Sequence, residues 1–193
     1  FERKLELGNF RDLNLPRSEI SGTDDTPGWD VSRADPITWR DLEWLRGLTS
    51  LPLVLKGVRV AEDAKIAAES GVEGILVSTH GGRQLDQTMS SVEMVPEIVD
   101  AVKGNCEVYL DSGVRRGSDV IKALALGARA VAIGRPLFWG LAVDGAEGVH
   151  GVLELLREEV DRALAYCGQT DVKDLESNLL GIPEGWGAGN SDF

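Results

Sequence analysis

From Leu51 onward the chain alternates short apolar runs with longer amphipathic ones, and no other feature constrains its fold as strongly. Leu51-Pro-Leu-Val-Leu-Lys56 reads as a buried strand, and Ala61 to Ser70 as a helix ended by Gly71. Gly74 to Ser78 is a second strand, followed by a helix from Ser91 to Lys103 closed by Gly104. Val108 to Asp111 is a third strand, and the helix Ser118 to Leu126 after it stops at Gly127. Ala130 to Gly134 is a fourth strand, and a long helix runs from about Ala146 to Tyr166. Strands apolar on both faces, alternating with helices, predict a parallel sheet with right-handed crossovers. Four βα units at this pitch make an open α/β sheet or half of a (β/α)8 barrel. A complete barrel takes roughly 250 residues, and the chain has 193.

Residues 1–50 read differently. Ser18 to Asp35 is rich in Ser, Gly, Asp, Thr and Pro without apolar periodicity, the composition of a mobile loop. Pro36 to Leu48 then carries Ile37, Leu42, Trp44, Leu45 and Leu48 at mostly helical spacing, with Asp35 placed to cap it. The expected organisation is therefore 1–50 as loop and helix, and 51–193 as four βα units plus a C-terminal tail. With 42% hydrophobic residues the chain can build a core. Its net charge of −12 argues against a nucleic-acid backbone or an anionic membrane as main partner. The start, Phe1-Glu2-Arg3-Lys4, shows no apolar leader, and no apolar run reaches the length of a membrane span. Cys106 and Cys167 have no CxxC spacing, so neither a disulfide framework nor a metal site is expected, and the expected setting is the reducing cytoplasm.

In parallel α/β folds ligands gather at the carboxyl ends of the strands, and here each of those ends is polar. The first is Lys56-Gly57. The second is Ser78-Thr79-His80-Gly81-Gly82-Arg83-Gln84-Leu85-Asp86. The third is Asp111-Ser112-Gly113-Val114-Arg115-Arg116-Gly117, and the fourth Gly134-Arg135-Pro136. Each has a plainer reading: a strand-end lysine can snorkel to water, a lone histidine is often structural, an aspartate before glycine is often a turn. Yet His80 is followed by a flexible Gly-Gly and by Arg83, so an imidazole and a guanidinium can converge on one small anion. His150 lacks such company and reads as a surface residue. Gly113 and Gly117 with Arg115 and Arg116, before a helix start, form an anion cradle suited to phosphate, and Gly134-Arg135 supplies its second half.

Taken together, the Leu55-Lys56-Gly57, Ser78-to-Asp86, Asp111-to-Gly117, Lys122-to-Ala128 and Gly134-Arg135-Pro136 segments resemble the FMN-dependent L-2-hydroxy acid oxidase/dehydrogenase family. The resemblance runs from about Leu51 to Leu180, more weakly through the residues before. It implies the C-terminal half, strands 5–8, of a (β/α)8 TIM barrel with a long C-terminal helix. It implies FMN as cofactor and oxidation of an L-2-hydroxy acid to the 2-oxo acid. His80 would be the catalytic base and Arg83 the clamp on the substrate carboxylate. Lys56 would stabilise the reduced ring and Ser78 would bond the isoalloxazine edge. Asp111 would hold the ribityl chain, with Ser112 and Gly113 beside it, and Arg115, Gly134 and Arg135 would take the phosphate. Ser112 stands where many members carry glycine, and Thr79 where many carry asparagine. The family's other half supplies two tyrosines, an aspartate for the catalytic histidine and a second arginine. None can be placed here, so an N-terminal half of the barrel is an expected partner, as is a homo-oligomer. Other readings stay open: another FMN barrel enzyme, or a catalytically silent flavin- or phosphate-binding half barrel.

Overall fold

The structure is a computed structural model that describes residues 38–183. The loop expected over Ser18–Asp35 and the Asp35 cap lie outside the described residues. The first helix, α1 (Asp41–Leu48), is shorter than the expected Pro36–Leu48. Its start is marked by the Asp41 carboxylate, which accepts the Thr38 backbone N–H at 2.6 Å and the Thr38 hydroxyl at 2.9 Å.

From there the chain runs β1 (Val54–Val58), α2 (Ala61–Glu69), β2 (Gly74–Val77), α3 (Ser91–Val102), β3 (Glu107–Leu110), α4 (Gly117–Ala125), β4 (Ala130–Val131) and α5 (Arg135–Tyr166). The strands form one sheet in the order β1-β2-β3-β4, every neighbouring pair parallel. This is the strand–helix alternation of a (β/α) barrel half, as the apolar runs required. α3 and α4 present apolar stripes to the sheet. Ile75 and Val77 of β2, Ile98 of α3 and Leu110 of β3 are at most 1% exposed. Burying each such side chain contributes roughly 1.5–3 kcal/mol.

Two expected strands need correction. Leu51–Lys56 is not a buried strand: pairing starts at Val54, Leu51 is 69% exposed and Val54 48%. Among the described residues β1 has only β2 beside it, whereas β2 lies between two neighbours and is buried almost throughout. The fourth strand pairs over Ala130–Val131 alone, because the chain then leaves the sheet to make Gly134 the cap of α5. α5 itself is longer than expected and is broken at Asp144 and Gly145. The expected Ala146–Tyr166 helix is its second arm. The first arm, begun by Pro136, packs back so that a Cβ on Gly140 or Gly148 would overlap the other's backbone.

Candidate active site

The carboxyl ends of β1, β2 and β3 bring Lys56, Ser78, His80, Asp111 and Ser112 together. The Lys56 ammonium donates to the Ser78 hydroxyl at 3.0 Å and lies 3.5 Å from Asp111 Oδ2. Ser78, 1% exposed, also accepts the His80 backbone N–H at 3.1 Å. The next N–H, that of Gly81, donates to Ser112 Oγ at 3.2 Å, and the Ser112 hydroxyl donates to Asp111 Oδ1 at 2.7 Å. These contacts close a ring that starts and ends at Lys56 and ties three strand ends to one turn.

That turn is His80–Gly82, and all its residues have positive φ: 53° at His80, 67° at Gly81 and 74° at Gly82. Glycine adopts this region freely, but a histidine there is strained, and such strain concentrates at functional sites. The turn lays the imidazole over Gly57, where a Cβ would stand 3.4 Å from His80 Cε1. Gly57 has φ 95° and sits where the β1–β2 register shifts between Lys56 and Val58. One glycine thus makes the strand bulge and leaves room for the ring. A cavity of about 220 Å³ opens here, walled by Lys56, Gly57, Arg59, Ser78, Thr79, His80, Gln84 and Leu85. A larger cavity of about 470 Å³ lies beside Glu107 and Arg129, at the amino ends of β3 and β4, away from this chemistry.

Burial pushes the His80 imidazole below its ordinary pKa of 6.5. Lys56, Arg83 and Arg59 push the same way, and Asp111 opposes them. The environment therefore keeps the ring neutral and able to accept a proton. Arg59 was not singled out from the sequence. Its signal was its place in the same strand end, three positions past Lys56. Arg83 is exposed, and among the described residues its side chain makes no ion pair. It does not wall the His80 cavity.

The phosphate cradle is only partly as expected. Arg116 does not belong to it: its guanidinium donates to Glu159 Oε1 of α5 at 2.7 Å. The other Glu159 oxygen accepts the Gly117 N–H at 2.8 Å, and Asp119 accepts the N–H groups of Arg115 and Arg116. The start of α4 is thus already satisfied by protein carboxylates. Acidic residues far along the chain carry no local signal that they will cap a distant helix. Arg115 lies over the Trp139 ring at 4.9 Å, and Arg135 Nη2 donates to the Gly81 carbonyl at 3.3 Å. Both side chains are exposed, and no heavy atom lies within 4 Å of where a Cβ on Gly113 or Gly134 would stand. Open backbone flanked by two weakly held guanidinium groups leaves space for a phosphate. With Lys56, Ser78 and Asp111 converging beside it, the donor set fits a flavin mononucleotide.

Comparison with known proteins identifies the family. The family model described as FMN-dependent dehydrogenase matches residues 13–181. The chain is 49% identical over 181 residues to 2-hydroxyacid oxidase 1 of Homo sapiens, an alignment covering 92% of this chain and 49% of that protein. It is 54% identical over 144 residues to an L-lactate oxidase of Nostoc, covering 75% of this chain and 40% of the relative. A crystal structure of mandelate oxidase superposes with a TM-score of 0.69 at 52% identity, covering 71% of this chain and 40% of that one. The chain spans about half the length, or less, of the curated relatives it matches.

Proposed function

The chain belongs to the FMN-dependent dehydrogenase family, and from that footing we infer that it carries the proton-accepting and flavin-holding residues of an enzyme oxidising an L-2-hydroxy acid to the 2-oxo acid. The observation that carries this reading is the His80 imidazole, held neutral over Gly57 in a cavity it shares with Lys56. A base in a small cavity beside a fixed cation suits a substrate that is an anion and must lose a proton.

FMN, when bound, supplies the acceptor for the two electrons that leave the substrate carbon. The residues of this chain do the rest. His80 takes a proton from the substrate hydroxyl or from C2. Arg83, on the far side of the Gly81–Gly82 turn, forks onto the substrate carboxylate once substrate orders it. Lys56 would hold the electron-accepting end of the flavin ring beside a positive charge, and Ser78 would hydrogen-bond the ring edge. Asp111 and Ser112 would hold the ribityl hydroxyls, while Gly113, Arg115, Gly134 and Arg135 would hold the phosphate. The site is expected to be completed by residues of the barrel's other half, and the assembly is expected to be a homo-oligomer.

The test is anaerobic mixing of the full-length protein with lactate, glycolate or mandelate. A yellow protein whose visible flavin band bleaches supports the reading. A yellow protein that none of these acids bleaches supports a silent binding module instead, and extraction of a cofactor other than FMN overturns the phosphate assignment.

A further inference from the structure

Ser112 adopts φ 71°, a conformation that costs a residue with a Cβ roughly 1–2 kcal/mol and glycine almost nothing. Backbone economy alone therefore favours glycine at this position. What glycine lacks is the hydroxyl, and here the hydroxyl is fully engaged. It donates to Asp111 Oδ1 at 2.7 Å and accepts the Gly81 N–H at 3.2 Å. Asp111 is itself held by Lys56 at 3.5 Å through its other oxygen. Gly81 is the middle residue of the left-handed turn that begins at His80.

We propose that the Ser112 hydroxyl is a positioning group: it clamps the Gly81 N–H to Asp111 and so fixes the turn that lays the His80 ring over Gly57. The reasoning rests on contacts within this chain, and its bearing on catalysis rests on the function inferred above. Two N–H groups of the turn have side-chain supports, and Arg135 also donates to the Gly81 carbonyl at 3.3 Å. The His80 N–H is held by Ser78, and the Gly81 N–H by Ser112. Ser78 is reached from the turn's own strand, two residues away. Ser112 is the only one of the two supports that comes from a different strand end. It alone ties the turn across β3 to the carboxylate that also contacts Lys56. With that tie removed, the turn keeps the Ser78, Thr79 and Arg135 contacts but loses its link to Asp111, and the His80 ring is held less firmly over Gly57. The charge environment of His80 would change with it, because Lys56, Asp111 and Arg59, which face the ring together with Arg83 of the turn's own end, sit on other segments.

Two substitutions separate the hydroxyl from the backbone. Ser112→Gly removes the hydroxyl and relieves the strain; Ser112→Ala removes the hydroxyl and keeps the strain. A backbone role for this position predicts that the two variants differ; a hydroxyl role predicts that they behave alike. In the full-length flavoprotein, amide hydrogen exchange at Gly81 should quicken about tenfold in both variants, the loss of one hydrogen bond. The titration of His80, read by hydrogen exchange at its imidazole C2, should move toward the ordinary value. Ser112→Gly should retain its melting temperature while the limiting rate of reduction, per flavin bound, falls roughly ten- to hundredfold. Unchanged Gly81 exchange in Ser112→Gly overturns the proposal. So does quickened exchange with an unmoved His80 titration, or an effect confined to Ser112→Ala. If the wild-type flavoprotein oxidises no hydroxy acid yet Gly81 exchange and the His80 titration respond as described, the inferred reaction fails and the positioning role stands.

Discussion

At the scale of single residues, the proposed chemistry turns on keeping one imidazole, His80, neutral. Because the folded chain lowers the His80 pKa, it binds fewer protons than the unfolded chain between that lowered value and 6.5. His80 therefore contributes stability above pH 6.5 that drains away as the pH falls through its folded pKa. The causes can be pulled apart by sign. Lys56→Met should move the His80 titration upward and Asp111→Asn should move it downward, both read by exchange at the imidazole C2; shifts of the same sign would contradict the electrostatic account. His80→Gln should keep the flavin while reduction by substrate falls roughly 10²–10⁴-fold, the contribution of a positioned base, measured by stopped-flow absorbance. His80 and its glycines were legible in the sequence because a histidine beside Gly-Gly at a strand end has few structural uses. The role of Ser112 was not, because a serine's φ and the partners of its hydroxyl are set by a strand it does not belong to. Arg116 misled for the same reason: next to Arg115 it reads as a second phosphate ligand, while Glu159, remote in sequence, engages it.

Among elements, the start of α4 shows how much the packing of helices decides what a loop can bind. α5 crosses Gly117 so closely that a Cβ there would overlap the Glu159–Val160 backbone. That approach is what lets the Glu159 carboxylate reach the Gly117 N–H. Gly117→Ala should therefore cost about 1–3 kcal/mol, the range for overpacking, and should release Arg116 from Glu159. Thermal melting of the full-length protein checks the first effect, and loss of the Arg116–Glu159 contact in the variant's structure the second. The interior elements follow the sequence closely, since β2, α3, β3 and α4 carry their own apolar pattern and terminating glycines. The outer ones do not. The apolar run Leu51–Leu55 resembles that of an interior strand, but pairing depends on neighbours, and β1 has one among the described residues. The first arm of α5 carries Gly140 and is broken at Gly145, and Gly140 is a contact point between two helical arms, which only the packed structure reveals.

For the molecule as a whole, the sheet as described ends in β1 on one side and β4 on the other. Val54 on β1, and Phe138, Leu141 and Val143 on the first arm of α5, are each at least 48% exposed. Unpaired edges with apolar side chains template association. Residues 38–183 expressed alone should thus self-associate, seen as concentration-dependent growth in light scattering; a stable monomer would show that these edges are adequately protected. Within that sheet, the Lys56–Ser78–His80–Gly81–Ser112–Asp111 ring has a further consequence for how damage accumulates. A closed loop loses its constraint at the first break, and a second break elsewhere in it has less left to undo. Ser78→Ala and Ser112→Ala should accordingly be less than additive, their combined loss of stability falling short of the sum by roughly 0.5–3 kcal/mol. Sequence drift at these positions would then come in correlated steps, since a chain that has already opened the circuit at one member is released from selection at the others.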